Sequence, residues 1–416
     1  MISPAPRRAW IMLIALTMLS VIGMTIVFPV MPFIVQRYLP AHDPSLAVWV
    51  GALEGVGALC AFLAAPVFGS LSDRIGRRPI IIIAAFGAVV GYTIFGIGGA
   101  IWVLLLGRII QGITAGDMPA LFAYAADITP PGQRAKRFGL LGALNGVGFM
   151  IGPALGGLLA AIDVRLPVFA TAIVALVVAL MSIVALPESL APENRTSKLE
   201  LANLHPVRVI TGAFRRPELR GLLTTLALLT IPFTFFASNF SVLAIDAVSW
   251  SATRVGFLLA VIGVLDVVVQ GGLLALLLPR IGERQTIVIG IIGQATGIAA
   301  LTVVASLLAQ PWLLILGVLM LGAFQGLTQA PLDGLISSTA GDDEQGRVAG
   351  ALQSITSGIQ MLAPLAAGLL YTGVAHAAPY AIGLALVIAA AVVFGRVSRR
   401  LRLDARATTE RERSIP

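Results

Sequence analysis

Twelve apolar runs, each of about 20 residues or more, dominate the 416-residue chain. A helix needs about 20 apolar residues to cross about 30 Å of hydrocarbon, and backbone polar groups in lipid must satisfy one another. We therefore predict an all-α membrane protein with twelve transmembrane helices, numbered helix 1 to helix 12. The runs lie near residues 10–36, 46–71, 79–98, 101–126, 137–161, 165–186, 220–245, 253–278, 285–308, 311–339, 347–371 and 377–395.

A polar stretch rich in proline and charge separates the sixth run from the seventh and divides the chain into two halves of six helices. Such a stretch is typical of a linker. The predicted parts are an N-terminal six-helix bundle (1–186), a cytoplasmic linker (187–219), a C-terminal six-helix bundle (220–396) and a cytoplasmic tail (397–416).

The two halves also echo each other in sequence. The segment "IQGIT" that begins at Ile110 in helix 4 returns as "FQGLT" at Phe324 in helix 10, and each is followed by a polar loop and a further apolar run. Two parallel, pseudo-symmetric halves with a binding cavity between them are a known transporter architecture. The repeat therefore favours a transporter.

Lysine and arginine concentrate in every second loop, which predicts that both termini are cytoplasmic. The formal net charge of +8 is explained by lipid headgroups, and the scattered basic residues form no single face for nucleic acid. The expected surroundings are therefore the lipid bilayer, with no nucleic-acid partner.

Several chemistries are excluded by composition. The single cysteine, Cys60, allows neither a disulfide framework nor a thiolate metal cluster. No pair of histidines at helical spacing and no G-x-x-x-x-G-K-[ST] loop occurs, which argues against a membrane metalloenzyme and against nucleotide-driven pumping. We expect no enzyme activity, no metal and no cofactor.

Three motifs carry a family resemblance. The motifs are a glycine-bounded charged loop between helices 2 and 3 (Gly69, Asp73, Arg74, Gly76, Arg77, Arg78), an element around Arg108 in helix 4, and a glycine-rich motif in helix 5 (Gly148, Gly152, Pro153, Gly156, Gly157). They resemble the loop 2–3 signature, the helix 4 element and the antiporter motif of the major facilitator superfamily, and "VFPVMP", "AADIT" and "RIGERQTIVIG" extend the resemblance to its bacterial tetracycline/proton antiporters over nearly the whole chain.

The resemblance implies a usually monomeric transporter of small molecules in a bacterial-type inner membrane, working by alternating access. It also implies that Asp73, Arg74 and Arg77 steady the outward-open state, since a short loop with both charges can hold helix ends together. The positive-inside rule alone is the alternative explanation for these arginines.

The glycines of helix 5 recur every four residues, which puts a stripe of small residues on one face where another backbone can approach closely. Pro153 adds a kink. The resemblance implies that this helix seals the contact between the halves and bends as they move, and ordinary glycine-mediated helix packing is the alternative.

Arg108 lies inside helix 4, where a charge is costly, so we expect it to face a cavity or a carboxylate. The alternative is that its side chain extends to the membrane surface. In a straight helix at about 100° per residue, Arg108 and Asp117 point in opposite directions and do not pair.

Proton coupling requires a carboxylate that is charged in one part of the cycle and neutral in another. The candidates inside apolar runs are Asp117 (helix 4), Asp333 (helix 10), Asp266 (helix 8) and Glu54 (helix 2). Asp117 is the first choice because small residues and a proline surround it. A neutral, hydrogen-bonded structural role is the alternative for each.

The resemblance does not extend to the family's own coupling residues. Tetracycline antiporters place aspartates in helices 1, 3 and 9, and the corresponding positions here are Ser20, Gly91 and Gln294. The scaffold is therefore shared, while the coupling and substrate residues are not carried over.

Polar and aromatic side chains of several helices are expected to line the central cavity with the carboxylates: Gln111, Asn145, Asn239, Gln325, Gln360, Phe122 and Phe236. Mostly apolar walls with scattered polar groups suit lipophilic compounds, and carboxylates favour cations. We predict a proton-coupled exporter of small lipophilic, in part cationic, compounds such as drugs. A flippase for lipids or lipid-linked molecules is the alternative.

Overall fold

The computed structural model describes residues 7–130, 133–195, 211, 214–339 and 345–413, and each of the twelve predicted runs is mostly helical. The N-terminal half contains helix 1 (Arg7–Ile26 and Met31–Gln36), helix 2 (Leu46–Ile75), helix 3 (Arg77–Ile97), helix 4 (Ile101–Ile113 and Asp117–Asp127), helix 5 (Arg134–Ala160), helix 6 (Leu166–Val184) and the 3-10 turn Pro192–Asn194. The C-terminal half contains helix 7 (Pro217–Val248), helices 8 and 9 (Ala252–Val268, the π-helical turn Val269–Leu273, and Leu274–Ser306), helix 10 (Pro311–Thr339), helix 11 (Gln345–Gly373) and helix 12 (Ala378–Arg413).

Helices 8 and 9 follow each other almost without interruption. Counted as one, Ala252–Ser306 has 55 residues and is one of eleven helices, within the described part of the chain, that are long and apolar enough to span a membrane. At 1.5 Å per residue this is about 80 Å, which allows two crossings. Gly282 divides it, with φ 76° and ψ 166°, a conformation that essentially only glycine adopts. The twelve-helix, all-α prediction is confirmed.

Two helices of the N-terminal half are interrupted where the sequence predicted continuous runs. Helix 1 is interrupted by a turn at residues 27–30, which include Pro29. Helix 4 breaks at Thr114–Gly116 and starts again at Asp117. Gly116 favours such a break because glycine has a low helix propensity. Pro119, in the first turn of the new piece, has no backbone N–H that could donate to a carbonyl of a continuous helix.

Helix 12 extends well beyond the predicted end near residue 395. It continues as far as Arg413, through most of the segment that the sequence predicts as a tail. Arginine, alanine, leucine and glutamate are good helix formers and are frequent there, so the helix does not need an apolar sequence to continue.

The contacts divide the chain into two compact units whose borders do not coincide with the midpoint of the sequence. The first contains Met1–His205, Ser238–Val267 and Gln360–Ala375, and the second contains Pro206–Ala237, Val268–Ile359 and His376–Pro416. Parts of helices 7, 8 and 11 are therefore grouped with the six N-terminal helices.

Helices 1, 3, 4 and 6 share the core of the first unit. Its fully buried members include Leu13, Leu16, Ile80, Leu121 and Tyr124. These side chains come from the second piece of helix 4 and from helices 1 and 3, which pack against it.

Helices 2 and 11 approach each other closely within the same unit. A side chain at Gly51 would overlap the carbonyl of Pro364, and one at Gly368 would overlap the carbonyl of Ala47. Thr372 also donates a hydrogen bond to the carbonyl oxygen of Pro44, at 2.7 Å. The contact thus runs along several turns and depends on glycine.

Candidate functional site

A cavity of about 110 Å³ lies inside the first unit, among helices 1, 3, 4 and 6. Its walls are mostly apolar and small, with a few polar groups and a single carboxylate. The lining residues are Leu19, Ser20, Gly23, Met24, Ala84, Ala85, Ala88, Tyr92, Gln111, Thr114, Ala115, Asp117, Met118, Thr171, Val174, Ala175 and Val178.

Asp117 is the carboxylate of this cavity and the first residue of the second piece of helix 4. The break leaves the first N–H groups of that piece without helical partners. The carboxylate accepts hydrogen bonds from its own N–H, from the N–H of Met118 and from the Ser20 hydroxyl. Burial destabilises the ionised form of this carboxylate, and these donors oppose that effect.

A chain of hydrogen bonds leads from Arg108 to the same cavity. Arg108 Nη1 donates to Gln111 Oε1 at 2.6 Å, and Gln111 Nε2 donates to the Tyr92 hydroxyl oxygen at 2.8 Å. Arg108 Nε also donates to the carbonyl of Leu53 at 3.2 Å. The arginine therefore faces helix 2 and the interior of the unit.

Glu54 is the negatively charged side chain of helix 2 near Arg108. The two side chains interact electrostatically, and Glu54 is half-buried. Gly57, one turn further along, makes room for the guanidinium, because a Cβ there would lie 3.2 Å from Arg108 Nη2. The structure thus places Glu54 with Arg108 and Leu53, outside the lining of the Asp117 cavity.

Asp333 belongs to the second unit and has different partners. Both of its carboxylate oxygens accept hydrogen bonds from Gln329 Nε2, at 3.1 Å each. Gln325 Nε2 donates a long hydrogen bond of 3.5 Å to Gln329 Oε1, which extends the polar row along helix 10. Asp266, the remaining candidate, lies in helix 8 close to the π-helical turn Val269–Leu273.

Of the seven side chains predicted to line a cavity, Gln111 lines this one. Phe122 stacks on Phe138 with the ring centroids 6.0 Å apart. Gln360 is exposed and Asn145 is half-buried. The buried members that lie outside this cavity are Asn239 and Phe236, and Gln325 takes part in the helix 10 row.

The loop 2–3 signature is a tight turn at a single residue, Gly76, with φ 110°. Arg77 follows it directly and donates to Asp73 Oδ1 at 2.6 Å and to Asp127 Oδ2 at 3.0 Å. Arg78 donates to the carbonyl of Ser182 at 3.1 Å. The signature therefore ties together the ends of helices 2, 3, 4 and 6.

Arg74 and Gly69, the other members of the signature, are both exposed. Arg74 lies in the last turn of helix 2, where a positive charge interacts favourably with the helix C-terminus. Gly69 has open space around its Cα. Neither belongs to the hydrogen-bonded centre of the turn.

Glu188 is a site residue that sequence reasoning missed. Its carboxylate accepts hydrogen bonds from the backbone N–H groups of Arg77 and Arg78, at 2.8 and 3.2 Å, and so caps the N-terminus of helix 3. Ser189 beside it donates to Asp127 Oδ2 at 2.9 Å. An acid at the start of the polar stretch was the available signal, but its partners are about 110 residues away in sequence.

The helix 5 glycines face two neighbours. Gly148, Gly152 and Gly156 lie against helix 1, where Thr25 donates to the carbonyl of Gly148 at 3.1 Å. Gly157 lies against Gly256 of helix 8.

Pro153 takes part in the helix 8 contact as well, because a Cβ on Gly256 would lie 2.6 Å from its carbonyl oxygen. The small-residue stripe thus allows the close approach that the sequence predicts, mainly with helix 1.

Sequence comparison connects these features to known transporters. The profile of the Major Facilitator Superfamily matches residues 13–364 and 280–415. The Tetracycline resistance protein, class C, of Escherichia coli is 33% identical over 386 residues, which cover 93% of this chain and 94% of that protein. Multidrug resistance protein 2 of Bacillus subtilis is 28% identical over 378 residues, covering 88% and 89%.

Solved structures share the fold. The human organic anion transporter MFSD10 matches with a TM-score of 0.69 and 21% sequence identity, over 94% of this chain and all of that one (100%). The nucleoside transporter NupG matches with a TM-score of 0.73 and 12% identity, over 94% and 98%.

Proposed function

Because this chain belongs to the major facilitator superfamily, and is thus a multi-pass membrane transporter and not an enzyme, we propose that it is a proton-coupled exporter of small lipophilic compounds, cations among them. It acts by alternating access of two six-helix halves, as a monomer without a cofactor. Its membrane is of the bacterial inner type, and both termini are cytoplasmic.

The observation that carries the proposal is the position of Asp117. A coupling carboxylate must be stable both with and without its proton while it is shielded from bulk water. Asp117 lines a mostly apolar cavity, and two backbone N–H groups and the Ser20 hydroxyl stabilise its charged form there.

Packing supports a carboxylate in helix 4 instead of helix 3. A Cβ on Gly91, one of the positions where the related antiporters are expected to have an aspartate, would lie 2.8 Å from the carbonyl oxygen of Gly107. An aspartate at that position would not fit between helices 3 and 4. Ser20, at another such position, instead donates to Asp117.

Two further features support alternating access. Helices 2 and 11 pack closely at one end through Gly51 and Gly368. At the other end of helix 2, Arg77 joins Asp73 and Asp127. Glycine contacts and ion pairs of this kind can separate and re-form as helices tilt, because they leave few interlocked side chains. The relatives' names favour drug export over the flippase alternative.

The proposal is tested with purified protein in liposomes, using the fluorescent cation ethidium as the transported probe. An imposed pH gradient accelerates ethidium movement by the wild-type protein, because proton flow drives it. D117N removes the titrating group and loses the response to the gradient.

D163N is the matched control. Asp163 is an exposed carboxylate between helices 5 and 6, paired with Arg37 at 3.4 Å. The D163N variant is expected to keep the response to the pH gradient. If D117N transports with an undiminished gradient response, Asp117 is not the proton carrier.

A further inference from the structure

The hydrogen bonds between Arg108 and Tyr92 have a fixed direction. An arginine side chain has donors only, so the Gln111 amide must present its oxygen to Arg108 and its nitrogen to Tyr92. The Tyr92 oxygen thus accepts from Gln111, and it also interacts with the Arg108 guanidinium. Gln111 and Arg108 both act as donors towards this oxygen, and neither accepts the hydroxyl hydrogen of Tyr92.

The phenolic hydrogen of Tyr92 therefore needs an acceptor elsewhere. Tyr92 is 5% exposed and lines the cavity that contains Asp117, with which it interacts electrostatically. A buried hydroxyl that fails to donate loses stability, so its hydrogen is expected to point to an acceptor. Tyr92 and Asp117 make no direct hydrogen bond in the structure, but the cavity between them is large enough for water that can accept from the tyrosine and donate to the carboxylate.

We propose that Tyr92 directs its phenolic hydrogen towards ionised Asp117 through water in the cavity, and that Arg108, acting through Gln111, is a positioning residue that holds Tyr92 in this direction. The inference rests on the proposed function, because it describes how the proton carrier releases its proton. Arg108 thereby supports the charge on Asp117 without contacting it.

The other charged groups do not provide an alternative donor. The titratable side chains that line the cavity are Tyr92 of helix 3 and Asp117 of helix 4, while helix 1 contributes the Ser20 hydroxyl and helix 6 contributes apolar groups and Thr171. Glu54 of helix 2 is outside the cavity lining and interacts electrostatically with Arg108.

The decisive variant is Y92F, which removes the hydroxyl and keeps the ring. Loss of this donor makes the ionised form of Asp117 less stable, so Asp117 keeps its proton to higher pH. The midpoint of the pH dependence of ethidium transport is expected to rise by about one pH unit. Q111L is expected to shift it in the same direction and by less, because Tyr92 loses its orientation but keeps its donor.

Y124F is the matched control. Tyr124 lies in helix 4 and is also fully buried, and its hydroxyl has no hydrogen-bond partner within the described part of the chain. It is outside the cavity lining. The same Tyr→Phe change there is expected to leave the pH midpoint unchanged.

A spectroscopic measurement separates this inference from the proposed function. The infrared band of the protonated carboxylic acid that D117N removes is titrated in purified wild-type, Y92F and Y124F proteins. A higher midpoint in Y92F alone supports the inference, even in a variant that transports poorly. Equal midpoints in Y92F and Y124F overturn it, whereas gradient-driven transport by D117N overturns the proposed function.

Discussion

Helices 4 and 10 contain the same Gln-Gly-x-Thr sequence and fold differently immediately after it. In both, the threonine hydroxyl donates to the carbonyl four residues earlier, at 2.8 Å from Thr114 and 2.7 Å from Thr328. Helix 4 then breaks at Gly116, whereas helix 10 continues unbroken from Pro311 to Thr339.

The break decides what stabilises the nearby aspartate. Asp117 begins a helix, so free backbone N–H groups point at its carboxylate. Asp333 lies inside a helix, where the N–H groups are used by the helix itself, and it depends on the side chain of Gln329. The same repeat thus provides a backbone-stabilised acid in one half and a side-chain-stabilised acid in the other.

Exchanging either aspartate for asparagine tests this difference most directly. D117N is expected to abolish the response to a pH gradient, while D333N keeps the response and raises the KM for ethidium about fivefold. A partly solvated charge interaction of about 1 kcal/mol accounts for that factor. Initial rates in liposomes at several ethidium concentrations measure both effects.

The double variant D117N/D333N is expected to resemble D117N. If D333N alone abolishes the gradient response, helix 10 and not helix 4 carries the proton, and the backbone donors of Asp117 have only a structural role.

The glycines that follow helices 2 and 8 provide a second comparison between the halves. Gly76 and Gly282 stand in "RIGRRP" and "RIGERQ" and both have positive φ, 110° and 76°. A Cβ on Gly76 would overlap the carboxylate of Glu188, whereas one on Gly282 would meet nothing within 4 Å. The two positions thus share the backbone requirement and differ in packing.

G76A and G282A are expected to destabilise the protein unequally. Each introduces backbone strain of about 1–3 kcal/mol, and G76A additionally displaces the Glu188 cap of helix 3, for about 1 kcal/mol more. Thermal unfolding in detergent, followed for each variant and the wild type, measures the difference.

The combination of G76A with E188A isolates the contribution of the cap. The double variant is expected to lose no more free energy of unfolding than the strain of G282A and the loss of the cap add up to. If G76A and G282A unfold at the same temperature, the Glu188 contact contributes nothing at this turn.

The sequence predicts the helices well because apolar length is a local property. It misses the break in helix 4 because that break depends on a partner from elsewhere in the fold. Gly116 fits closely against Phe68, and a Cβ there would lie 2.6 Å from the Phe68 ring. No pattern around helix 4 indicates that contact, and so the sequence favours one continuous helix.

The candidate site likewise has a part that the sequence predicts and a part that it misses. Asp117 is recognisable because a carboxylate among small apolar residues is costly in a membrane. The path from Arg108 through Gln111 to Tyr92 is not, because it crosses from helix 4 to helix 3 and depends on the close approach of Gly91 and Gly107. The sequence predicted Arg108 and Gln111 as site residues, but nothing in it singled out Tyr92 as their partner.

The smallest effect is expected from making helix 10 resemble helix 4. A330G puts glycine at the repeat position of Gly116, on an exposed face where no side chain is lost from the core. Glycine inside a helix costs about 0.5–1 kcal/mol relative to alanine. We expect faster amide hydrogen exchange around residues 328–334 and little change in transport. The control A323G, about two helical turns earlier in helix 10, is expected to change amide exchange only near residue 323. If A330G leaves exchange near Asp333 unchanged, glycine alone does not explain the break in helix 4, and the contact with Phe68 is its main cause.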